Sequence, residues 1–237
     1  MQKDAIVALR HLAYENDASK KRVLDAGGVS PRDLEWIAVT GGNRAMLPQS
    51  IDDRVLHRVD EVKAIGRGGL ALANLESALV TSAGSGTACV AATMNGAHHV
   101  TGTGVGGGTL VGLGRLLLGT VDPREIDALA QQGSDTTHNL TIAEVLGGAI
   151  GSLPPETTAV NFGRVARHPV DASREDTAAA LVNMVGQVIA VIAINAARAQ
   201  QLPHGLRAVA ELQVDGAARE RPVAAEHEGA AAVAGEH

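Results

Sequence analysis

Apolar residues recur at helical spacing in five segments of the chain, which predicts five helices. Asp122 followed by Pro123 marks the start of the fourth helix, since an acidic N-cap before proline is a strong start signal. Ser173 and Asp176 form a capping box at the start of the fifth. The predicted helices span residues 4–24, 60–75, 109–117, 122–132 and 173–200.

Short apolar runs without the helical period predict strands. Residues 35–40 are typical of a buried parallel strand, and residues 78–83 form a second buried run. Residues 88–93 and 98–100 are predicted to pair as a hairpin around Asn95-Gly96, a favoured turn sequence. The pattern decays after residue 203, and the tail from residue 216 has too few apolar groups to predict structure there.

The amino-acid composition excludes some classes of partner and of metal site. The 237 residues are 45% hydrophobic, enough for a sizeable core, and the formal net charge of −6 without a basic block argues against nucleic acid as a partner. With Cys89 alone, no internal disulfide or cysteine metal cluster can form, which fits a reducing cytoplasm. We expect no metal-ligating side chain.

The longest apolar run, residues 178–199, is interrupted by polar residues. Asn183, Gln187, Asn195 and Arg198 lie within it. The run therefore predicts a core helix rather than a membrane span, and the N-terminus shows no signal-peptide pattern.

Glycine is most concentrated just before the third predicted helix, where five of the seven residues 102–108 are glycine. Glycine loses more backbone freedom on folding than other residues, so this density suggests a close approach to the backbone. The usual ligand of such a loop is a phosphate, held by successive N–H groups and by the start of a helix. Thr109 can cap the helix that follows here. A flexible linker is the alternative.

Two kinds of phosphate site fit this loop. Residues 102–107 satisfy G-x-G-x-x-G, and Asp122 lies roughly where the ribose acid of a dinucleotide fold would. That motif needs a parallel strand before it, whereas the hairpin arm precedes it here. The other interpretation joins residues 106–108 to the turn Ser85-Gly86-Thr87, as in nucleotide-binding folds with two phosphate loops.

Several stretches in order make the chain resemble the type II pantothenate kinases of the acetate-and-sugar-kinase/actin superfamily. These are Val39-Thr40-Gly41-Gly42, residues 59–66, 83–87 and 101–109, Ala130-Gln131-Gln132-Gly133-Ser134-Asp135, residues 159–163 and Asn183-Met184-Val185. The resemblance implies an α/β, actin-like (ribonuclease H-like) two-lobe kinase fold with an incomplete first lobe. Residues 1–78 would be the remnant of that lobe, and residues 79–237 the nucleotide-binding and dimerisation lobe.

The resemblance also implies the chemistry, which is ATP-dependent phosphorylation of pantothenate to 4′-phosphopantothenate, the first step towards coenzyme A. Glu61 falls on the position of the family's catalytic base. ATP and Mg²⁺ are the implied cofactors, a homodimer the implied assembly, and CoA or acyl-CoA a candidate inhibitor. The nucleotide-binding positions would be Ser85, Gly86, Thr87, Gly107, Gly108, Thr109, Leu110 and Val111, and the substrate-binding positions His99, Gly102 and Gly104.

Three departures from the family pattern favour an alternative. His98-His99 stand where the family has an arginine. Asp25-Ala26-Gly27-Gly28 is predicted to be a helix stop rather than the family's D-x-G-G-[TS] phosphate loop. No Gly-[Ser/Thr/Asn] adenosine loop is visible between residues 202 and 225, although Glu226-His227-Glu228-Gly229 resembles the closing motif. The alternative is a catalytically impaired nucleotide- or CoA-binding homologue, acting as a subunit or regulator.

Overall fold

A small three-stranded sheet opens the described part of the chain, which a computed structural model gives as residues 35–42, 44–51 and 53–200. Its strands are β1 (Ile37–Val39), β2 (Ser50–Ile51) and β3 (Arg54–Arg58), in the order β1-β3-β2. β1 pairs with β3 in parallel, with Ile37 opposite Leu56 and both side chains buried. The predicted parallel strand is confirmed. β3 escaped prediction because only one of its five residues is buried, which leaves no apolar run.

Helix α1 (Glu61–Ala73) begins at Asp60, whose carboxylate accepts the N–H groups of Val62 and Lys63. It packs on the next sheet through two glycines. A Cβ on Gly66 would lie 2.6 Å from the Ala97 Cβ, and one on Gly69 would lie 2.5 Å from the Val80 side chain. The predicted helix is confirmed.

The second sheet is antiparallel, with β4 (Ser77–Ala83), β5 (Thr87–Thr93) and β6 (Gly96–Thr103) in that order. The predicted hairpin is therefore confirmed. One face of the sheet lies on α1 through Val80 and Ala92, and the other presents Leu79 and Cys89 to the last helix. Alternate residues of each strand thus serve two helical layers.

Three longer helices build the rest of the core. They are α2 (Gly107–Leu117), α3 (Pro123–Ala130) and α6 (Arg174–Ala199); two shorter helices lie between the last two in sequence and are described below. The three longer helices meet at Leu110, Ile126 and Leu181. Asp122 caps α3 and the Ser173–Asp176 capping box opens α6, so both predicted starts are confirmed. At α2 the N-cap is Gly106, and Thr109 lies one turn inside the helix, which corrects the predicted cap.

Short elements between α3 and α6 were not predicted from the sequence. They are β7 (Leu140–Thr141), α4 (Ile142–Leu146), β8 (Thr158–Val160) and α5 (Gly163–Arg167), with β7 and β8 paired antiparallel. None is longer than five residues, so neither a strand nor a helix period can develop.

Helix α6 is long and apolar enough to cross a membrane by length and composition alone. One side of α6 packs in the core, as predicted. It contacts α2, α3 and the second sheet through buried residues that include Leu181 and Ala193. On the other side Val191 and Ile194 are exposed. The predicted helix over residues 4–24, the predicted helix stop at residues 25–28, the tail and the closing motif lie outside the described residues.

The predicted division of the chain at residue 78 stays a prediction. That position falls inside β4, and α1, which precedes it, packs on the sheet that follows it.

Candidate nucleotide site

Two glycine-containing loops that are far apart in sequence are hydrogen-bonded to each other. One is the turn of residues 84–86 between β4 and β5, called the phosphate turn below; the other is the glycine loop, residues 104–108, which leads from β6 into α2. Gly107 N–H donates to the Gly84 carbonyl at 2.7 Å, and Gly108 N–H donates to the Ser85 carbonyl at 3.1 Å. The structure therefore brings together the two loops of the second interpretation.

The close approach that explains the glycines is between the two loops. A Cβ on Gly106 would lie 2.7 Å from the Gly86 carbonyl oxygen, and one on Gly108 would lie 2.8 Å from the Ser85 oxygen. Side chains at these positions would separate the loops. Gly104 differs, since a Cβ there would meet no atom within 4 Å.

Most amide donors of the glycine loop are already used inside the protein. Besides the Gly107 and Gly108 bonds, Gly106 N–H donates to the Thr109 hydroxyl at 3.2 Å, and that hydroxyl donates to the Gly104 carbonyl at 3.0 Å. The N–H groups of residues 106–108 thus have acceptors within the protein, and their binding of a phosphate stays a prediction. In the phosphate turn, by contrast, the N–H groups of Ser85 and Gly86 have no acceptor among the described residues, and Ser85 is exposed.

Two of the predicted nucleotide-binding side chains point into the protein. Thr87 is 5% exposed and its hydroxyl donates to the Val105 carbonyl at 2.8 Å. Leu110 is 8% exposed and packs in the core with α6. Any contact that Thr87 or Leu110 makes with a nucleotide is thus limited to the backbone. Val111 is half-buried on α2.

The predicted substrate position His99 lies over Gly102. Its Nε2 would lie 3.4 Å from a Cβ on Gly102, and that Cβ would also lie 2.6 Å from the Thr87 carbonyl oxygen. The pairing register shifts here, because Val90 faces His99 while Cys89 faces Thr101. A bulge of this kind re-aims side chains, and the His99 ring is exposed.

Glu61 is the first residue of α1 and is half-buried. Gly66 holds this helix against Val90, the strand partner of His99. Arg44, which sequence reasoning missed, lies beside the same helix start, with Nη2 3.5 Å from the Asp60 carboxylate. The only signal for Arg44 in the sequence was its position two residues after Val39-Thr40-Gly41-Gly42.

Comparison with known proteins decides the family. A family model named Fumble matches residues 71–205, more than half of the chain. A type II pantothenate kinase from Oceanobacillus iheyensis is 30% identical over 210 residues, which cover 82% of this chain and 78% of that relative. The chain belongs to the type II pantothenate kinase family. A Staphylococcus aureus member is 29% identical over 176 residues, covering 72% of this chain and 66% of that relative.

A solved structure with a similar fold is the activator of the 2-hydroxyisocaproyl-CoA dehydratase from Clostridium difficile with bound ADPNP. Its TM-score is 0.50 at 14% sequence identity, and the match covers 81% of this chain and 65% of the activator. The predicted α/β, actin-like fold is confirmed. The dinucleotide interpretation of residues 102–107 is wrong, because β6 runs antiparallel to β5 and no parallel strand leads into the loop.

The family's Mg²⁺ has few protein ligands to use here. No group of three or more His, Cys, Asp or Glu side chains capable of holding a metal occurs within the described ranges. The phosphate turn offers N–H and hydroxyl donors, which suit phosphate oxygens and not a cation. These residues fit a magnesium ion that arrives bound to the phosphates of ATP.

A polar network on α6 was not predicted as a site feature. The Asp135 carboxylate accepts the side-chain amides of Asn183 at 2.8 Å and Asn139 at 3.2 Å, and the Thr158 hydroxyl at 3.4 Å. Asn161 donates to Gln187 at 2.6 Å. The signal in the sequence was the same pair, Asn183 and Gln187, that interrupts the apolar run. In this family member the network fastens β8 to α6.

Proposed function

We propose that this chain phosphorylates pantothenate with ATP, producing 4′-phosphopantothenate, the first step of coenzyme A biosynthesis. Relatives that are 30% and 29% identical to this chain carry the name type II pantothenate kinase. The observation that carries the proposal is the phosphate turn, whose Ser85 and Gly86 N–H groups are without acceptors in the described structure. Two adjacent N–H groups and the Ser85 hydroxyl can donate to phosphate oxygens.

In the proposed reaction the phosphate turn binds the phosphates of Mg·ATP, and Glu61 accepts the proton of the pantothenate hydroxyl. That oxygen then bonds to the γ-phosphorus as the bond to the ADP oxygen breaks. Donors fixed before the reaction stabilise the charge that spreads over the transferred group. His99, Gly102 and the open backbone at Gly104 would lie along the pantothenate.

Release of ADP that depends on pantothenate tests the proposal directly. We expect ADP to form with ATP and pantothenate together and not with ATP alone. A matched thermal-shift series should show stabilisation by ATP or CoA and none by NAD, because a ligand that binds only the folded state raises its melting temperature. Stabilisation by NAD alone would overturn the nucleotide assignment.

A second candidate is a catalytically impaired homologue that binds ATP, CoA or acyl-CoA and acts as a subunit or regulator. His99 favours it, because the family has an arginine at this position, and a histidine cannot supply the same fork of guanidinium donors. Stabilisation by ATP or CoA without any ADP release would identify this candidate.

We infer that two copies of this chain associate in the cytoplasm through the exposed side of α6. Val191 is 51% exposed and Ile194 is 37% exposed on that side. Light scattering at micromolar concentration tests this inference, and a monodisperse monomer would contradict it.

A further inference from the structure

We propose that the start of α2 and the Thr87 hydroxyl are positioning groups, which aim the N–H groups of Ser85 and Gly86 at the phosphates of the nucleotide. The inference rests on the proposed nucleotide site and gives α2 a different part in it. The first amides of α2 act on the nucleotide through the phosphate turn and do not touch it.

The argument begins with the geometry of the peptide unit. In a trans peptide the C=O and N–H groups point in opposite directions, and the described chain has no cis bonds. The Gly84 carbonyl and the Ser85 N–H share one unit, and the Ser85 carbonyl and the Gly86 N–H share the next. Because both carbonyls accept bonds from α2, both N–H groups must point away from it.

This orientation explains why the turn has two adjacent donors without acceptors. Gly107 N–H holds the first peptide unit at 2.7 Å and Gly108 N–H holds the second at 3.1 Å. Donors that are fixed in place before a ligand arrives lose little freedom when it binds. The first residues of α2 therefore act as a clamp, in the sense that their N–H groups hold in place the turn that forms the anion site.

Thr87 adds a further contact that holds the turn against the glycine loop. Its hydroxyl donates to the Val105 carbonyl at 2.8 Å, which ties the residue after the turn to the glycine loop. The hydroxyl is buried, so an apolar replacement would leave the Val105 carbonyl without this donor. The Thr109 hydroxyl fixes the loop itself by bonding to both Gly104 and Gly106.

Amide hydrogen exchange, followed by NMR on the full chain, separates the two possible roles of α2. Without nucleotide we expect slow exchange at Gly107 and Gly108 and fast exchange at Ser85 and Gly86. Adding ADP should slow Ser85 and Gly86 only. Fast exchange at Gly107 and Gly108 that slows when ADP is added would overturn the proposal, because α2 would then bind the phosphates itself.

Two glycines of α2 provide a matched pair of variants. Gly108→Ala places a Cβ against the Ser85 oxygen, whereas Gly112→Ala places one in open space. We expect Gly108→Ala to raise the KM for ATP by about tenfold or more, with a smaller change in the KM for pantothenate. Gly112→Ala should stay close to wild type. Equal effects of the two variants on the KM for ATP would contradict the proposal.

A second pair tests the Thr87 hydroxyl. Thr87→Val should weaken ADP binding, and Thr87→Ser, which keeps the donor, should restore most of the affinity. Loss of affinity in both variants would assign the effect to packing and overturn the role of the hydroxyl. Should the wild-type chain bind no nucleotide, the proposed function fails, while exchange at Gly107 and Gly108 in the free protein still decides whether the clamp exists.

Discussion

The buried side chain of Asn139 holds Phe162 in a left-handed backbone conformation. Asn139 Oδ1 accepts the Phe162 N–H at 2.9 Å, and Phe162 has a φ of 55°. A non-glycine residue in this region is strained by roughly 1–2 kcal/mol. The Phe162 ring meets His138 edge-on at 5.4 Å and packs on the core around α6, so burial and the hydrogen bond offset the strain.

Replacing Asn139 should therefore destabilise the protein. Asn139→Ala leaves the Phe162 N–H without its acceptor and removes a donor from Asp135, which we expect to lower the free energy of unfolding by roughly 2–3 kcal/mol. Gln131→Ala, which removes an exposed bond to Asp127, is the control. Urea unfolding measures both variants, and equal stabilities would contradict the expectation.

Gly133 lies against the start of α6. A Cβ there would overlap the backbone of Glu175, which cannot move without unwinding the capped first turn. We expect Gly133→Ala to destabilise the protein by more than about 2 kcal/mol. Gly148→Ala, where a Cβ meets no atom within 4 Å, should change stability little. Similar melting temperatures for the two variants would show that the backbone at residue 133 yields easily.

Stability should fall on mild acidification because of His138. Burial holds the pKa of His138 below its ordinary value of 6.5, and Asp176 opposes this only in part. Since the unfolded chain then binds the proton more readily, the contribution of His138 is complete above pH 6.5 and is lost as the pH falls through the folded pKa.

The tautomer of His138 gives the physical reason. The Thr177 hydroxyl donates to the Ser173 carbonyl, so it accepts from His138 Nε2–H. His138 Nδ1 is then the unprotonated nitrogen, and it is buried without a partner among the described residues. Unfolding free energies measured against pH should decline less steeply for His138→Gln than for wild type. Parallel curves would assign the decline to other groups.

Glu61→Gln should abolish turnover while sparing ATP binding. General-base assistance is worth about 10²–10⁴-fold, and the amide cannot accept the proton. Pantothenate-dependent ADP release measures turnover, and the thermal shift with ATP measures binding. Lys63→Ala, two residues further along the same helix, is the control for local disturbance. Wild-type turnover that survives Glu61→Gln would show that Glu61 is not the base.

His99→Arg should increase the rate of phosphoryl transfer if the site forms as proposed. The exposed His99 ring leaves space for a longer side chain, and arginine carries a permanent charge to the reacting hydroxyl. His98→Arg is the matched control, because neighbouring residues of a strand point to opposite faces. A rise in both variants would indicate a general charge effect.

Patterns of apolar residues were sufficient for the long elements. The helices capped by Asp60, Asp122 and Ser173 were predicted from their helical patterns, with a cap signal in the sequence at Asp122 and Ser173. The hairpin of β5 and β6 was predicted for the same reason, since Asn95-Gly96 selects its turn. Such signals are local, and the chain carries them without reference to its fold.

Local sequence also pointed to the two loops, through their glycines and their resemblance to one family. It could not assign the glycines their roles. Gly104 and Gly108 have the same local signature, yet a Cβ on Gly104 would meet open space and one on Gly108 would strike Ser85. That difference depends on a turn more than twenty residues earlier in the chain.

The sequence by itself thus determined the family, the long helices and the hairpin, and it pointed to the two loops proposed as the site. Only the tertiary structure decided which backbone donors remain for a ligand. The Gly107 and Gly108 amides are used by the carbonyls of Gly84 and Ser85, while Thr87 turns its hydroxyl inward to Val105. The physical reason is that a backbone hydrogen bond between distant segments depends on where those segments meet, and no side-chain pattern along the chain records it.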